Sequence, residues 1–216
     1  MQDFRGLERA FGPSVRDAAS REQYLQQKYP GVSRDEALRR EAERYRPLTS
    51  GEVQLARSIF GSLIKYEKVK VFNRKWRDFM HDGRAHAPDG NLYYDDRAGY
   101  LEDFSAGNMD VRSTFIHEMA HVWQFQRGEL LKTGIIVQAK EGNVSYIYAH
   151  IFGRGSYNNY YLLRFEAQAE FLSDYYRIMN GRRAAIPANL GFGRADYERI
   201  MPAALRAAAM ARTPTS

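Results

Sequence analysis

Phe115-Ile116-His117-Glu118-Met119-Ala120-His121-Val122-Trp123 sets two imidazoles one helical turn apart with a carboxylate between them. At 3.6 residues per turn, positions i and i+4 lie on one face, so His117 and His121 can aim a ring nitrogen at one metal ion. Glu118 is turned by about 100° from His117. Its carboxylate then lies beside the ion, where it can take a proton from water. Neutral imidazole suits zinc, and a catalytic zinc site keeps three protein ligands and one open position. The pattern is that of a zinc hydrolase. Asp110 is the expected N-cap and Gly128 the expected residue just past the C-terminus. The apolar residues Phe115, Ile116, Met119, Ala120, Val122 and Trp123 predict a buried helix. Two histidines hydrogen-bonded in a core would explain neither Glu118 nor these flanks.

Such a helix supplies two ligands, and the third decides the class. The metzincin pattern needs Gly at 124 and His at 127, where this chain has Gln124 and Arg127. The other common source is a Glu on a later helix. In the stretch Tyr160 to Tyr176, Glu166, Glu170 and Asp174 form an i, i+4, i+8 row among Leu162, Leu163, Phe165, Ala167, Ala169, Phe171 and Leu172. Three acids stacked on one apolar-flanked face repel one another unless something compensates them. A dication held by Glu166 would do so, with Glu170 or Asp174 accepting the free N–H of a ligating His. Glu170 is the alternative third ligand, His150 competes with both, and His81 and His86 are weaker candidates. The developing oxyanion of peptide hydrolysis needs a donor, for which His150, Tyr148, Tyr157 and Tyr160 are candidates that the sequence does not separate.

Composition narrows the remainder. The chain has 216 residues, 44% hydrophobic, enough for one substantial core with an appendage. No run approaches the roughly 18 apolar residues of a membrane span, and the N-terminus begins no apolar signal sequence. Export would therefore use a route that reads folded structure or a carrier. With no cysteine, disulfides and thiolate-bound zinc are excluded. The net charge of +6 favours anionic partners, but the charge is scattered. No basic block with interleaved aromatics points to nucleic acid.

The charged segment 1–46 reads as a helical arm or docking element, with Pro30-Gly31 between two helical stretches and a capping-box pattern at Ser33-Arg34-Asp35-Glu36. A core over 47–181 follows, and 182–216 reads as a final helix near Ala195 to Ala209, packed outside, before a frayed tail. Within the core, Ser50-Gly51-Glu52 introduces a helix, Lys68 to Phe72 alternates as a strand, and Pro88-Asp89-Gly90-Asn91 turns into Leu92-Tyr93-Tyr94. Residues 129–157 are expected to wrap a cleft as a loop. The fold class expected is α+β, mainly helical, with a minimal zincin-like core and a short sheet beside the motif helix. An edge strand near the metal, for which Leu92 to Tyr94 is the candidate, would pair with substrate backbone.

Several stretches carry a resemblance. Pro47-Leu48-Thr49-Ser50-Gly51-Glu52, Phe72-Asn73-Arg74-Lys75-Trp76, Ala87-Pro88-Asp89-Gly90-Asn91-Leu92-Tyr93, His117 to Gln124, and Glu166-Ala167-Gln168-Ala169-Glu170 resemble the metallopeptidase domains attached to VgrG spike proteins, antibacterial effectors of type VI secretion. The resemblance spans roughly Pro47 to Tyr176. It implies zinc on His117, His121 and Glu166 with Glu118 as base. It further implies delivery by a spike or adaptor, action in the target cell periplasm on an envelope protein or peptidoglycan peptide, and a cognate immunity protein. The chain departs from that family's Glu-Gln-Gln at Ala167 and from its Tyr three residues before the Glu, at Leu163. Lacking a preceding spike domain, it would dock through residues 1–46. A binding protein with a structural metal site, or an ordinary intracellular peptidase, are the alternatives.

Overall fold

The computed structural model describes residues 18–42, 45–76, 83–95, 97–129, 146–152 and 159–210. Its centre is the motif helix, α4 (Met109–Gln126), in which every residue from Phe115 to Gln124 is buried. Asn108, one residue before the helix, is the N-cap, its side chain accepting from the Val111 amide at 3.0 Å. Asp110, expected in that role, lies inside the first turn, where its charge complements the helix dipole. The helix ends at Arg127, and Gly128 follows with φ of +85°, the left-handed conformation that glycine adopts without strain.

Against α4 lies α5 (Phe165–Met179), buried from Glu166 to Tyr176. Ala120 on one helix and Ala167 and Ala169 on the other are buried. Ser173 adds a cross-helix bond from its hydroxyl to the Ser113 carbonyl at 3.0 Å. The sheet is small. β1 (Arg46–Pro47) is antiparallel to β2 (Lys70–Phe72), which is parallel to β3 (Leu92–Tyr93), in the order β1-β2-β3. The chain is thus α+β and mainly helical, with the sheet beside α4.

The free edge expected at Leu92 to Tyr94 is not free. His86 pairs across it, its amide donating to the Tyr93 carbonyl at 3.0 Å and its carbonyl accepting from the Tyr93 amide at 2.9 Å. A turn at 88–91 folds the chain back on β3, so the outermost extended segment is 84–87.

The C-terminal segment also differs from expectation. Instead of one outer helix it forms α6 (Arg194–Ile200) and α7 (Ala203–Met210). Pro202 forces the break, because the residue before a proline is driven out of the helical region and Met201 has ψ of 138°. Tyr197, Ile200, Met201 and Leu205 belong to the main core. Gly61, at φ of +52° after α3 (Ser50–Phe60), would place a Cβ 2.8 Å from that of Ala208. Its bare backbone permits α7 to lie against α3. Near the N-terminus, α1 (Ala18–Lys28) and α2 (Arg34–Ala42) meet through a separate cluster of Leu25, Ala37 and Leu38. Among the described residues no helix is long and apolar enough to cross a membrane.

One ion pair ties the entry of the core together. Thr49 caps α3 in a capping box with Glu52, whose carboxylate is wholly buried. Glu52 accepts from both terminal nitrogens of Arg46 at 2.8 Å, from the Phe104 amide at 2.9 Å and from the Thr49 amide at 2.9 Å. Every carboxylate lone pair facing the protein is used, and the guanidinium lies near the Phe104 ring. Glu52→Gln leaves Arg46 largely buried without its counter-charge and is expected to cost about 3–5 kcal/mol in chemical denaturation. A loss under 1 kcal/mol would mean that the pair is idle.

Candidate metal centre

Helical spacing stacks His117 and His121 on the face of α4 that meets α5, and Glu166 enters from the first turn of α5. The Nε2 atoms of the two histidines stand 3.2 and 3.3 Å from the same oxygen, Glu166 Oε2. All three residues are buried, and their ligand atoms lie within 4.8 Å of one another. Two atoms each 2.0–2.1 Å from a tetrahedral ion stand roughly 3.3–3.4 Å apart, whereas a charge-assisted N–H···O bond closes to about 2.7–2.9 Å. The spacing matches the edge of a coordination tetrahedron better than a set of hydrogen bonds.

The outer ring nitrogens strengthen the case. His117 Nδ1 is 3.1 Å from Glu170 Oε2, an acceptor only. His121 Nδ1 is 2.8 Å from Gln124 Oε1. The Gln124 amide is orientated by its own bonds, since its Nε2 donates to Gln168 Oε1 at 3.0 Å and to the Phe165 carbonyl at 3.1 Å. Gln168 is fixed in turn by donating to the Leu163 carbonyl at 2.9 Å. Both Nδ1 atoms therefore carry protons, and in the neutral tautomers both Nε2 lone pairs point at a carboxylate oxygen. That arrangement is repulsive unless positive charge lies between them. A divalent cation fits, and the His₂Glu donor set suits zinc.

Without a metal, protons must supply that charge. Burial pulls the His117 imidazole down, but its bonds to Glu166 and Glu170 outweigh this and hold it well above its usual value. His121 is raised as well, by Glu166 against burial. For Glu166, burial pushes upward, yet the two imidazoles drive it far below the ordinary carboxylate range.

Glu118 lies beside this cluster, buried yet lining an open cleft of about 490 Å³. Burial raises its carboxyl, the two imidazoles partly countering, which suits a proton acceptor that must also release. Its Oε2 has no hydrogen-bond partner among the described residues. The cleft is walled on one side by Gly83 to Pro88 and floored by the Asp110 to His121 face of α4 and the Glu166 to Arg177 face of α5. Tyr146 closes it, its ring centroid 5.7 Å from that of His117. Burial and the carboxylates of Glu166 and Glu118 raise the Tyr146 hydroxyl far above its usual value, so it stays a donor.

Among the described residues otherwise expected at the site, only Glu170 touches one of the histidines. Asp174 is fully buried but accepts from the Tyr148 hydroxyl at 2.6 Å and the Ala185 amide at 2.6 Å, away from the histidines. Tyr148 also meets the Tyr197 hydroxyl and belongs to the core. Tyr160 donates to the Gln168 carbonyl at 3.1 Å, bracing α5 rather than facing the cleft. His150 is exposed and does not line the cleft. His86 does line it, and burial lowers its imidazole to about 4, so it is neutral near pH 7. Tyr157 and His81 lie outside the described residues. The sequence reading missed Tyr146, Gln124 and Gln168 as parts of the site. Tyr146 and Tyr148 are two residues apart in an irregular stretch, where no period tells cleft from core.

Gln124→Ala removes the acceptor that fixes the His121 tautomer and is expected to weaken zinc binding about 10–100-fold in chelator competition, with the fold retained. Unchanged affinity would show the amide chain to be structural only. In the metal-free protein, stability from the raised histidines is fully present below their unfolded pKa of about 6.5 and is lost as pH rises through the higher folded values. Glu166 adds stability that is present above its ordinary range and lost on acidification. Thermal melts should therefore fall with rising pH above about 6.5 without metal, and zinc should abolish that fall. Parallel curves with and without zinc would contradict it.

No protein-family model matches the chain. Over 137 residues, 63% of its length, it is 31% identical to the type VI secretion system spike protein VgrG2b of Pseudomonas aeruginosa, and the match spans only 13% of that protein. In structure it superposes on the effector domain of Pseudomonas aeruginosa VgrG2b with a TM-score of 0.58 and 25% identity, covering 89% of this chain and 93% of that one. The chain is thus similar, in sequence and in fold, to the effector domain of a type VI secretion spike protein.

Proposed function

We propose that the chain is a zinc-dependent peptidase acting as a type VI secretion effector. The observation that carries this reading is the convergence of His117, His121 and Glu166 on one point beside Glu118 in an open cleft. Zinc, when bound there, supplies Lewis acidity and brings the acidity of water near neutrality. Glu118 takes the proton of the attacking water and returns it to the leaving amine. Tyr146, held protonated at the cleft wall, donates to the oxyanion of the substrate. Glu170 and the Gln124–Gln168 pair keep the two imidazoles in the tautomer that leaves Nε2 free.

The substrate backbone is gripped by 84–87 rather than by β3. Because the amide and carbonyl of His86 face Tyr93, the alternation of an extended chain turns those of Ala85 and Ala87 to the other side, towards the cleft. In this reading the catalytic core spans 47–181, and 1–46 serves delivery by contact with a spike or adaptor. Envelope proteins or peptidoglycan peptides of the target cell periplasm are the substrates, and a cognate immunity protein protects the producer. The similarity to a spike protein's effector domain supports the delivery route.

Glu118→Gln is expected to keep the melting temperature and one zinc per chain while lowering peptide hydrolysis by about 10²–10⁴-fold and removing toxicity on periplasmic expression. A zinc-loaded variant that still hydrolyses or kills at the wild-type rate would reject Glu118 as the base. A wild-type protein that binds zinc yet cleaves nothing would favour a structural metal site.

A further inference from the structure

His117, His121 and Glu166 line one end of the cleft, and Arg177 on α5, about three turns on from Glu166, lines the other. The lining there is polar and small, with Ser113 and Thr114 from α4 and Ser173 from α5. Arg177 is fixed from three directions. Its Nη1 donates to Asp110 Oδ1 at 2.7 Å and to Ser113 Oγ at 3.2 Å, and its Nε donates to the Arg183 carbonyl at 3.0 Å. The side chain is 16% exposed, whereas that of Asp110 is 81% exposed. The guanidinium is therefore held rigidly, while its carboxylate partner is a screened surface group that contributes little to the pair. Its remaining nitrogen, Nη2, makes no bond to a described residue. Of the other acids nearby, Glu170 is engaged with His117, and Asp174, whose carboxyl feels the Arg177 charge, is engaged with the Tyr148 hydroxyl and the Ala185 amide.

We propose that Arg177 forms a carboxylate-binding subsite, so that the cleft selects peptides carrying an acidic group at a fixed distance from the scissile bond. The proposal rests on the peptidase reading above. Ser113 and Asp110 precede His117 by four and seven residues, which places Arg177 about 6–10 Å along α4 from the first ligand. An extended peptide advances about 3.3 Å per residue, so the acid lies two or three residues from the cleaved bond, or on a long side chain nearer to it. Guanidinium suits this task because its planar fork matches a carboxylate and keeps its charge at any working pH. A free chain terminus and an acidic side chain offer the same group.

The test is digestion of a mixed peptide pool by the zinc-loaded protein, with cleavage sites read by mass spectrometry. Enrichment of Asp, Glu or a free C-terminus at one offset is expected. The best peptide is then compared with its Asn or Gln variant and with its C-terminal amide, which separates side chain from terminus. Arg177→Met should raise KM for the acidic peptide on the order of tenfold with kcat nearly unchanged, and abolish the enrichment. Asp110→Asn removes the competing carboxylate and should strengthen the preference. A purely structural Arg177–Asp110 pair would instead lose stability in both variants and shift selectivity in neither. Isothermal titration of the same peptides into zinc-loaded Glu118→Gln protein reads the subsite without turnover. Cleavage with no acidic preference would overturn the subsite and leave the peptidase reading intact. A wild-type protein that cuts nothing would overturn the peptidase reading, and the subsite with it. If Arg177→Met fails to fold, the Asp110→Asn result decides alone, and an unchanged preference counts against the proposal.

Discussion

Two imidazole lone pairs and a carboxylate oxygen occupy neighbouring corners of a space too small for them to coexist without positive charge. Much of the fold serves that constraint. The packing of α4 against α5 brings Glu166 within reach of both histidines. Burial then removes the water that would otherwise screen the repulsion. The site is costly as a core and could hold a cation, and apolar packing on the remaining faces of the two helices offsets the cost.

Support for the ligands is asymmetric. On the His117 side a single carboxylate, Glu170, accepts the outer N–H. On the His121 side the acceptor is an amide, and the chain of bonds from Gln124 through Gln168 to the Leu163 carbonyl is neutral throughout. Tyr160 braces the same region by bonding the Gln168 carbonyl. The loop before α5 is thereby coupled to the metal centre through hydrogen bonds of defined direction.

Much of this was legible because helical spacing is rigid. His117, Glu118 and His121 have one possible relation on a helix, and the acids at 166 and 170 stand out against their apolar neighbours. Extending that row to Asp174 failed because a further turn carries the side chain past α4 into a pocket with Tyr148 and Ala185. Tyr146 was illegible because loop residues obey no period, and the place of His86 because it pairs with Tyr93 through its backbone. The three-strand sheet was visible only as short apolar runs, and although the turn at Pro88 to Asn91 was legible, the segment before it that covers β3 carries no alternating apolar pattern. Pro202 carried the signal for two terminal helices, but the alanine-rich flanks suggested one. The Arg46–Glu52 pair reaches the Leu101 carbonyl and the Phe104 amide, a segment whose proximity no local pattern encodes.

The amide at position 124 also sets the charge carried by the centre. Glu166 and Glu170 bring two negative charges, which a dication would balance, and Glu118 brings a third at the cleft. A carboxylate in place of Gln124 would orient His121 equally well, yet it would push electron density through the ring and leave the assembly more anionic. An ion so surrounded polarises a carbonyl less strongly. Orienting one candidate ligand with a neutral group would preserve the electron-withdrawing strength of a cation held there.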